Sequence, residues 1–464
     1  MLGFASTVMA SWEVLLVLFK LILVDGGTPN LFWGFLVDAC GMLFVYASLA
    51  ELASMSPTAG GQRRPEYRSH SHILSASWLS AIGWQVYLAG VCFMVGGLIQ
   101  ALISLNNESY VPKRWHQTLL TIAVVSSSVV FNTVLAVKLP LIEGILLCLH
   151  LCGVLVVVIP LWVMAPSKPV NTALFDYTNL GGWDTKGLAA LVGMVTPLNV
   201  LIGYDCTVHM AEELHDASIT LPKVIIWSVA PNACLGLLVI LTLAFCSGDM
   251  DEVLQTRTGE PFVQIFCNAT ESKAASSVMV AIVIILLVSC CFSEVATASR
   301  QLWSFARDKG LPASSWLEQV QQGWNIPLRA VVVSFVVVLL LSLINIGSTT
   351  ALRSISSLGA VAILGSYLVT IGTLIWRRLF GAPLPTRRWS LGKYGLAINV
   401  IAACFVLPLF VFAFFPLTKE VDRETLNYAS VMFVGVLCVA LVYYVVRGRH
   451  LYVGPVALIE KDRC

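Results

Sequence analysis

The chain has 464 residues, of which 58% are apolar and only 12% charged, and its formal net charge is +2. That charged share is about half that of a soluble domain and excludes an ordinary soluble enzyme, while near-neutrality argues against nucleic-acid binding. A polytopic membrane protein remains, in which the placement of basic residues carries more information than their number.

Apolar runs long enough to cross a bilayer fall at 2–24, 31–54, 74–103, 117–137, 140–164, 188–210, 224–246, 277–298, 328–346, 354–376, 396–415 and 428–446. Twelve spans are therefore expected. The first run has no basic n-region and leads straight into the second, so it does not read as a cleavable signal, and a hydrophilic segment ahead of it is expected to be missing from this chain. With both termini in the cytoplasm, about 18 Lys and Arg lie inside, including Arg63, Arg64, Arg68, Arg377, Arg378, Arg387, Arg388, Arg447 and Arg449, against about half that number outside. The sequons Asn107-Glu108-Ser109 and Asn268-Ala269-Thr270 then both fall on outer loops.

Most of the 13 cysteines sit inside apolar runs and read as small packing residues. Cys246 and Cys267 border one loop and would pair only on an oxidising side. Cys148, His150 and Cys152 are spaced i, i+2, i+4, which turns the imidazole away from both thiols on a helix, so no shared metal is expected.

Two spans are interrupted. In the sixth, Pro197, Asn199, Gly203 and Asp205 sit where hydrocarbon would surround them, and the expected outcome is a helix broken near Gly203 to Asp205. The first carries Ala10-Ser11-Trp12-Glu13 near its middle. Disturbed spans at corresponding positions of two oppositely oriented five-helix units point to an inverted-repeat transporter with its site at the midplane. A kinked helix with a paired Asp is the plainer alternative for the sixth span.

Residues 51–62, Glu51-Leu52-Ala53-Ser54-Met55-Ser56-Pro57-Thr58-Ala59-Gly60-Gly61-Gln62, resemble the E-L-A-x-x-x-P-x-A-G-G signature of the amino acid/polyamine/organocation permeases. Gly203-Tyr204-Asp205 with Met210-Ala211-Glu212-Glu213 resembles a second signature, and the run Ser299 to Pro312 a third. That last run, with Trp324-Asn325-Ile326-Pro327-Leu328-Arg329-Ala330, is most similar to the fungal branch that includes choline, GABA and other amino acid permeases. The resemblance implies an all-α, leucine-transporter-like fold. Residues 1–376 would form a ten-helix core of two inverted repeats (1–164 and 188–376), followed by a cytoplasmic loop at 377–395, two peripheral spans at 396–446 and a cytoplasmic tail at 447–464. One departure is basic and short by comparison: residues 63–72, on the approach to the third span.

Transport makes and breaks no bond; it needs a site wetted from each side in turn. Where such permeases hold substrate on a Gly-Ser-Gly type element, this chain has Ala10, Ser11 and Trp12, followed by Glu13. With Trp84, Gly203, Tyr204 and Asp205 these form the expected substrate site, whose aromatic and acidic groups suit an amine-bearing substrate. Lys20 is the alternative partner for Glu13, seven residues on. Gln85 and Tyr87 suit packing bonds as well as substrate contacts, and Glu51 suits a loop anchor. His150 is a candidate for coupling, or a neutral imidazole bonded to a backbone carbonyl. Ser293 and Glu294 lie where sodium users of the fold place a hydroxyl ligand, yet proton coupling is the expectation by family analogy. Glu212, Glu213, Arg300 and Arg307 are candidate inner-gate charges, or solvated loop charges.

The expected function is a secondary active, proton-coupled permease for amino acids or amines such as choline or GABA, working by alternating access in, by expectation, the plasma membrane. No enzyme activity, metal or organic cofactor is expected, the partners being a small solute and lipid. A non-transporting sensor or a defective paralogue on the same scaffold is the alternative.

Overall fold

The computed structural model describes residues 2–58, 70–321, 323, 326–422 and 425–452, without the side chains of 70–73, 137, 140, 251 and 349–354. The departing segment at 63–72 falls outside this set in its backbone as far as residue 69 and in its side chains to the end, as do Trp324, Asn325 and the tail from 453.

The described residues are helical, with only two isolated strand-like bridges. Span 1 is split into Leu2–Met9 and Ser11–Ile22. Spans 2 to 5 are Gly27–Met55, His70–Asn106, Arg114–Thr133 and Leu139–Met164. Span 6 is broken between Lys186–Gly193, continued to Leu201, and Cys206–His209. Spans 7 to 12 are Ala217–Cys246, Lys273–Arg307, Leu328–Gly347, Thr349–Phe380, Gly395–Phe412 and Ala429–Tyr443. The tenth runs four residues past its expected end at 376.

Eleven of these are long and apolar enough to cross a membrane. The exception is span 4, which is long enough but carries Arg114, His116 and three consecutive serines. Ser126, Ser127 and Ser128 return their hydroxyls to carbonyls one turn back, which satisfies them within the helix.

Spans 1, 10 and 6 are the most enclosed, and Trp12, Leu15, Phe19 and Tyr204 are fully buried. Around them span 2 packs along span 7 and span 3 along span 8, pairs whose members stand five spans apart. Span 11 covers spans 2 and 10, and span 12 covers spans 10 and 3. Gly41 allows the first of these contacts, since a Cβ there would stand 2.3 Å from the Phe405 ring. The outer belt leaves Val163 77% and Val439 56% exposed, as expected where lipid replaces protein.

Two faces bound the bundle. Glu212, Glu213, Arg300, Arg307 and the loop after span 10 share one, here called the basic face. On the opposite face the Lys273–Glu108 ion pair, 2.8 Å, ties the loop after span 3 to the start of span 8. Both sequons thus belong to that opposite face.

Candidate functional site

Breaking a helix inside a bilayer frees backbone groups that must find partners in protein. Ala10 turns span 1 with φ 39° and ψ 45°, a left-handed conformation that costs a residue with a Cβ about 1 kcal/mol. Just before it, Cys290 donates its thiol to the Val8 carbonyl at 2.9 Å. At the second break Gly203 has φ 111°, where a side chain would be strained and would also meet Met9 at 2.8 Å and Trp84 at 3.2 Å.

The Tyr46 hydroxyl closes that second break. It donates to Leu201 O at 2.6 Å and accepts from the amides of Gly203 at 3.0 Å and Tyr204 at 3.4 Å. One phenol on span 2 thereby satisfies both sides of the interruption. Thr207 Oγ1 takes the Tyr204 carbonyl at 3.2 Å. The expected break at Gly203 to Asp205 is therefore where the helix ends.

Around it lies a buried group of aromatics and acids. Tyr367 of span 10 donates to Asp205 Oδ1 at 2.5 Å, and His209 Nε2 stands 3.7 Å from Asp205 Oδ2. Tyr204 meets Tyr46 edge-on at 5.1 Å, and Trp84 meets His209 at 5.8 Å. Glu294 and Tyr87 are within electrostatic reach of Asp205. Asp205 is 6% exposed and Glu294 2%, and Glu294 Oε2, Trp84 Nε1 and Tyr204 OH have no hydrogen-bond partner among the described residues. Two buried carboxylates without a described basic partner beyond His209 favour an added cation.

The expected site residues divide into two groups. Ala10, Trp84, Gly203, Tyr204 and Asp205 meet at the breaks, but Ser11, Trp12 and Glu13 point elsewhere. Ser11 Oγ stands 3.1 Å from Asn232 O and 3.0 Å from its Oδ1, which share its single hydrogen. Glu13 Oε1 stands 2.7 Å from His150 Nδ1, His150 Nε2 stands 3.2 Å from Asn232 Oδ1, and Trp12 lies 6.1 Å from the imidazole, centre to centre. His150 thus faces a carboxylate and an amide rather than a backbone carbonyl. Lys20 is exposed and is not the partner of Glu13. Cys148 and Cys152 are exposed while His150 is buried, which keeps the three apart as their spacing requires. Cys246 and Cys267 are both free thiols.

On the basic face Arg300 Nε meets Glu213 and Arg307 Nη1 meets Glu212, each at 2.6 Å, so span 8 is tied to the end of span 6 by two ion pairs. Gln85 bonds Ala298 O at 3.2 Å and Ser334 Oγ at 3.0 Å, which makes it a helix-packing group. Tyr87 OH reaches Asn199 Oδ1 at 3.3 Å. Ser293 turns its hydroxyl to Ser289 O of its own helix at 3.5 Å. Glu51 is buried and accepts from Arg378, Arg387, Ser390 and the Leu391 amide, so it anchors the loop after span 10 to span 2.

Four participants were not foreseen: Tyr46, Tyr367, His209 and Asn232. Asn232 follows Pro231 inside an apolar run, which is the one local irregularity that marks it. The three ring-bearing residues carry no such mark.

An amino acid permease family profile matches residues 2–438. An uncharacterized amino-acid permease of Schizosaccharomyces pombe is 27% identical, over 98% of this chain and 85% of its own length. The choline transporter of Saccharomyces cerevisiae is 27% identical, over 92% of this chain and 76% of its own. Amino-acid permease 2 of Neurospora crassa is 26% identical, over 98% and 83%. Among solved structures, the Eremococcus coleocola manganese transporter, in complex with an aromatic bis-isothiourea substituted compound, aligns with a TM-score of 0.55 at 13% identity, covering 95% of this chain and 92% of that one. Such a likeness establishes the leucine-transporter type of fold and leaves the cargo open.

Proposed function

This chain belongs to the amino acid permease family and is a multi-pass membrane transporter rather than an enzyme; within that family we propose a proton-coupled, secondary active permease for small amine-bearing solutes, amino acids or organic amines such as choline or GABA. The observation that carries the substrate class is the buried group at the span 6 break. Asp205 and Glu294 bring two carboxylates among Trp84, Tyr87 and Tyr204, where an ammonium offsets the cost of burying their charge and finds aromatic faces. Alternating access is supported by the two breaks at Ala10 and Gly203, about which half-helices would rock against the bundle. Spans 1 to 5 and 6 to 10 act as the two repeats.

The basic face is cytoplasmic by its charge, with both termini there and the plasma membrane as its address. Glu212–Arg307 and Glu213–Arg300 close the inner side by wet ion pairs that break cheaply. Proton rather than sodium coupling is taken from analogy with the family.

The test is uptake of labelled choline, GABA, neutral and basic amino acids by transporter-deficient cells at two external pH values, beside Tyr204→Ala. Saturable uptake that rises at acid pH and is lost in the variant is expected. No uptake of any panel member despite surface expression contradicts the reading and favours a sensor or a defective paralogue.

A further inference from the structure

Spans 1, 5 and 7 meet in a second buried group, set apart from the Asp205 break by its partners. Its members are Ser11, Glu13, His150 and Asn232, none more than 1% exposed. Their hydrogens can be counted. Asn232 Nδ2 donates to Ser228 O at 2.9 Å, which fixes the amide so that Oδ1 faces Ser11 Oγ and His150 Nε2. Oδ1 only accepts, so Nε2 carries a hydrogen. At 2.7 Å, Glu13 Oε1 and His150 Nδ1 then need a second hydrogen between them, held as a carboxylic acid or as an imidazolium.

We propose that Glu13 and His150 form the proton-carrying site of the transporter, distinct from the substrate break, with Asn232 setting its affinity. This deepens the proton-coupled reading above and rests on it. Loaded, the pair holds one hydrogen on Nε2 and one shared between Oε1 and Nδ1, and its net charge is zero. Unloading passes the shared proton to water, giving hydronium, a Glu13 carboxylate and a neutral imidazole. The carboxylate then faces the Nδ1 lone pair, or the imidazole moves its hydrogen to Nδ1 and turns a bare Nε2 to Asn232 Oδ1. Either way one of the two contacts is lost, and the pair bears an unpaired negative charge in a dry place.

That loss falls on a moving part. Glu13 lies in the first turn of the half-helix Ser11–Ile22, directly after the Ala10 hinge, while His150 and Asn232 belong to the unbroken spans 5 and 7. Proton release therefore loosens the half-helix from its scaffold, and loading docks it. The coupling is a difference in proton affinity between docked and undocked states, as linkage requires.

Other titratable groups on the surrounding elements are bonded elsewhere or lie apart. Cys290 of span 8 is engaged with Val8 O, and Glu294 is at the other break. Glu143 lies two turns back on span 5, and Asp38 is buried on span 2. Cys148, Cys152 and Cys234 are exposed. Lys20 is exposed, within reach of Glu260 ahead of the helix Pro261–Thr270. Among the described residues Glu13 bonds only His150, and its Oε2 has no partner.

The test is uptake into proteoliposomes with and without an inward acid step, expressed as the ratio of the two rates. Wild type gives a ratio well above one; Glu13→Gln brings it to about one whatever the absolute rate, and Glu13→Asp restores it. Asn232→Leu, close in volume, removes the acceptor of Nε2–H and moves the midpoint of the pH profile about one unit to the acid side, the size of one hydrogen bond to a charged group. A wild-type ratio of one overturns the proton-coupled reading and this site with it. A coupled wild type whose Glu13→Gln variant keeps its ratio overturns the site alone. Should Glu13→Gln not fold, an unshifted midpoint in Asn232→Leu does the same.

Discussion

Tyr367 OH and Asp205 Oδ1 stand 2.5 Å apart, across 162 residues of sequence, and join span 10 to the break in span 6. A hydroxyl bonded to a carboxylate is worth about 1.5–3 kcal/mol. Tyr367→Phe keeps the ring and removes that bond, so Asp205 loses its best-placed donor. A rise of about tenfold in the KM of uptake, with surface expression retained, is expected. An unchanged KM would mean that Asp205 needs no help to face substrate.

The Glu51 carboxylate predicts a separate phenotype. It is buried and accepts from two guanidiniums, a serine and an amide, none of which belongs to either break. Glu51→Gln removes the negative charge and one of the two oxygens that accept from Arg378 and Arg387, and should lower stability by about 2 kcal/mol. Thermal melting of the purified protein would fall by several degrees, while the substrate KM of the surviving fraction holds. A KM effect without a melting effect would place Glu51 in the transport path instead.

The two ion pairs on the basic face should behave as a latch and not as a foundation. Each has a partly solvated member, Glu213 at 53% and Glu212 at 33%, so each contributes at most about 1 kcal/mol to stability. Arg300→Ala with Arg307→Ala should leave the melting temperature within a few degrees. It should raise the labelling rate of the buried Cys206, one residue past Asp205, by several-fold in a background lacking other reactive thiols. Equal labelling in both proteins would remove these residues from the gate.

Spans and breaks were legible because bilayer length and a misplaced Pro, Gly or Asp are one-dimensional signals. Their fillers were not. Tyr46 and Tyr367 are tyrosines in apolar runs, and nothing local says that one hydroxyl will staple a break or that another will meet Asp205. Glu13 illustrates the same limit. The sequence offered Lys20 nearby, whereas the partner is His150, 137 residues away, brought in by packing of spans 1 and 5. Glu212, Glu213, Arg300 and Arg307 pair because they follow the ends of spans 6 and 8, which hydropathy does locate.

Outside the membrane, Asp25 gives a pH dependence with a definite sign. It is buried in the turn between spans 1 and 2, where Gly26 and Leu180 exchange backbone bonds with Thr178 and Val24. Burial pushes its carboxyl up from the ordinary value to about 6, while a hydrogen bond from Trp183 pulls the other way. The folded protein therefore holds this proton more tightly than the unfolded chain. The resulting stabilisation is fully present below about pH 4 and is lost as pH rises through about 6. Asp25→Asn should flatten the melting temperature between pH 4 and 7, relative to wild type, in a scan of both proteins. A parallel pair of curves would contradict the assignment.

Passage of a small amine around the break at Asp205 is tested by counterflow. Proteoliposomes loaded with the substrate found by uptake exchange it for external label with pH equal on both sides, so no coupling ion is needed. Rapid exchange by wild type and a loss of at least tenfold in Asp205→Asn are expected, with both proteins monodisperse and equally inserted. Exchange by Asp205→Asn at the wild-type rate would contradict passage around that break.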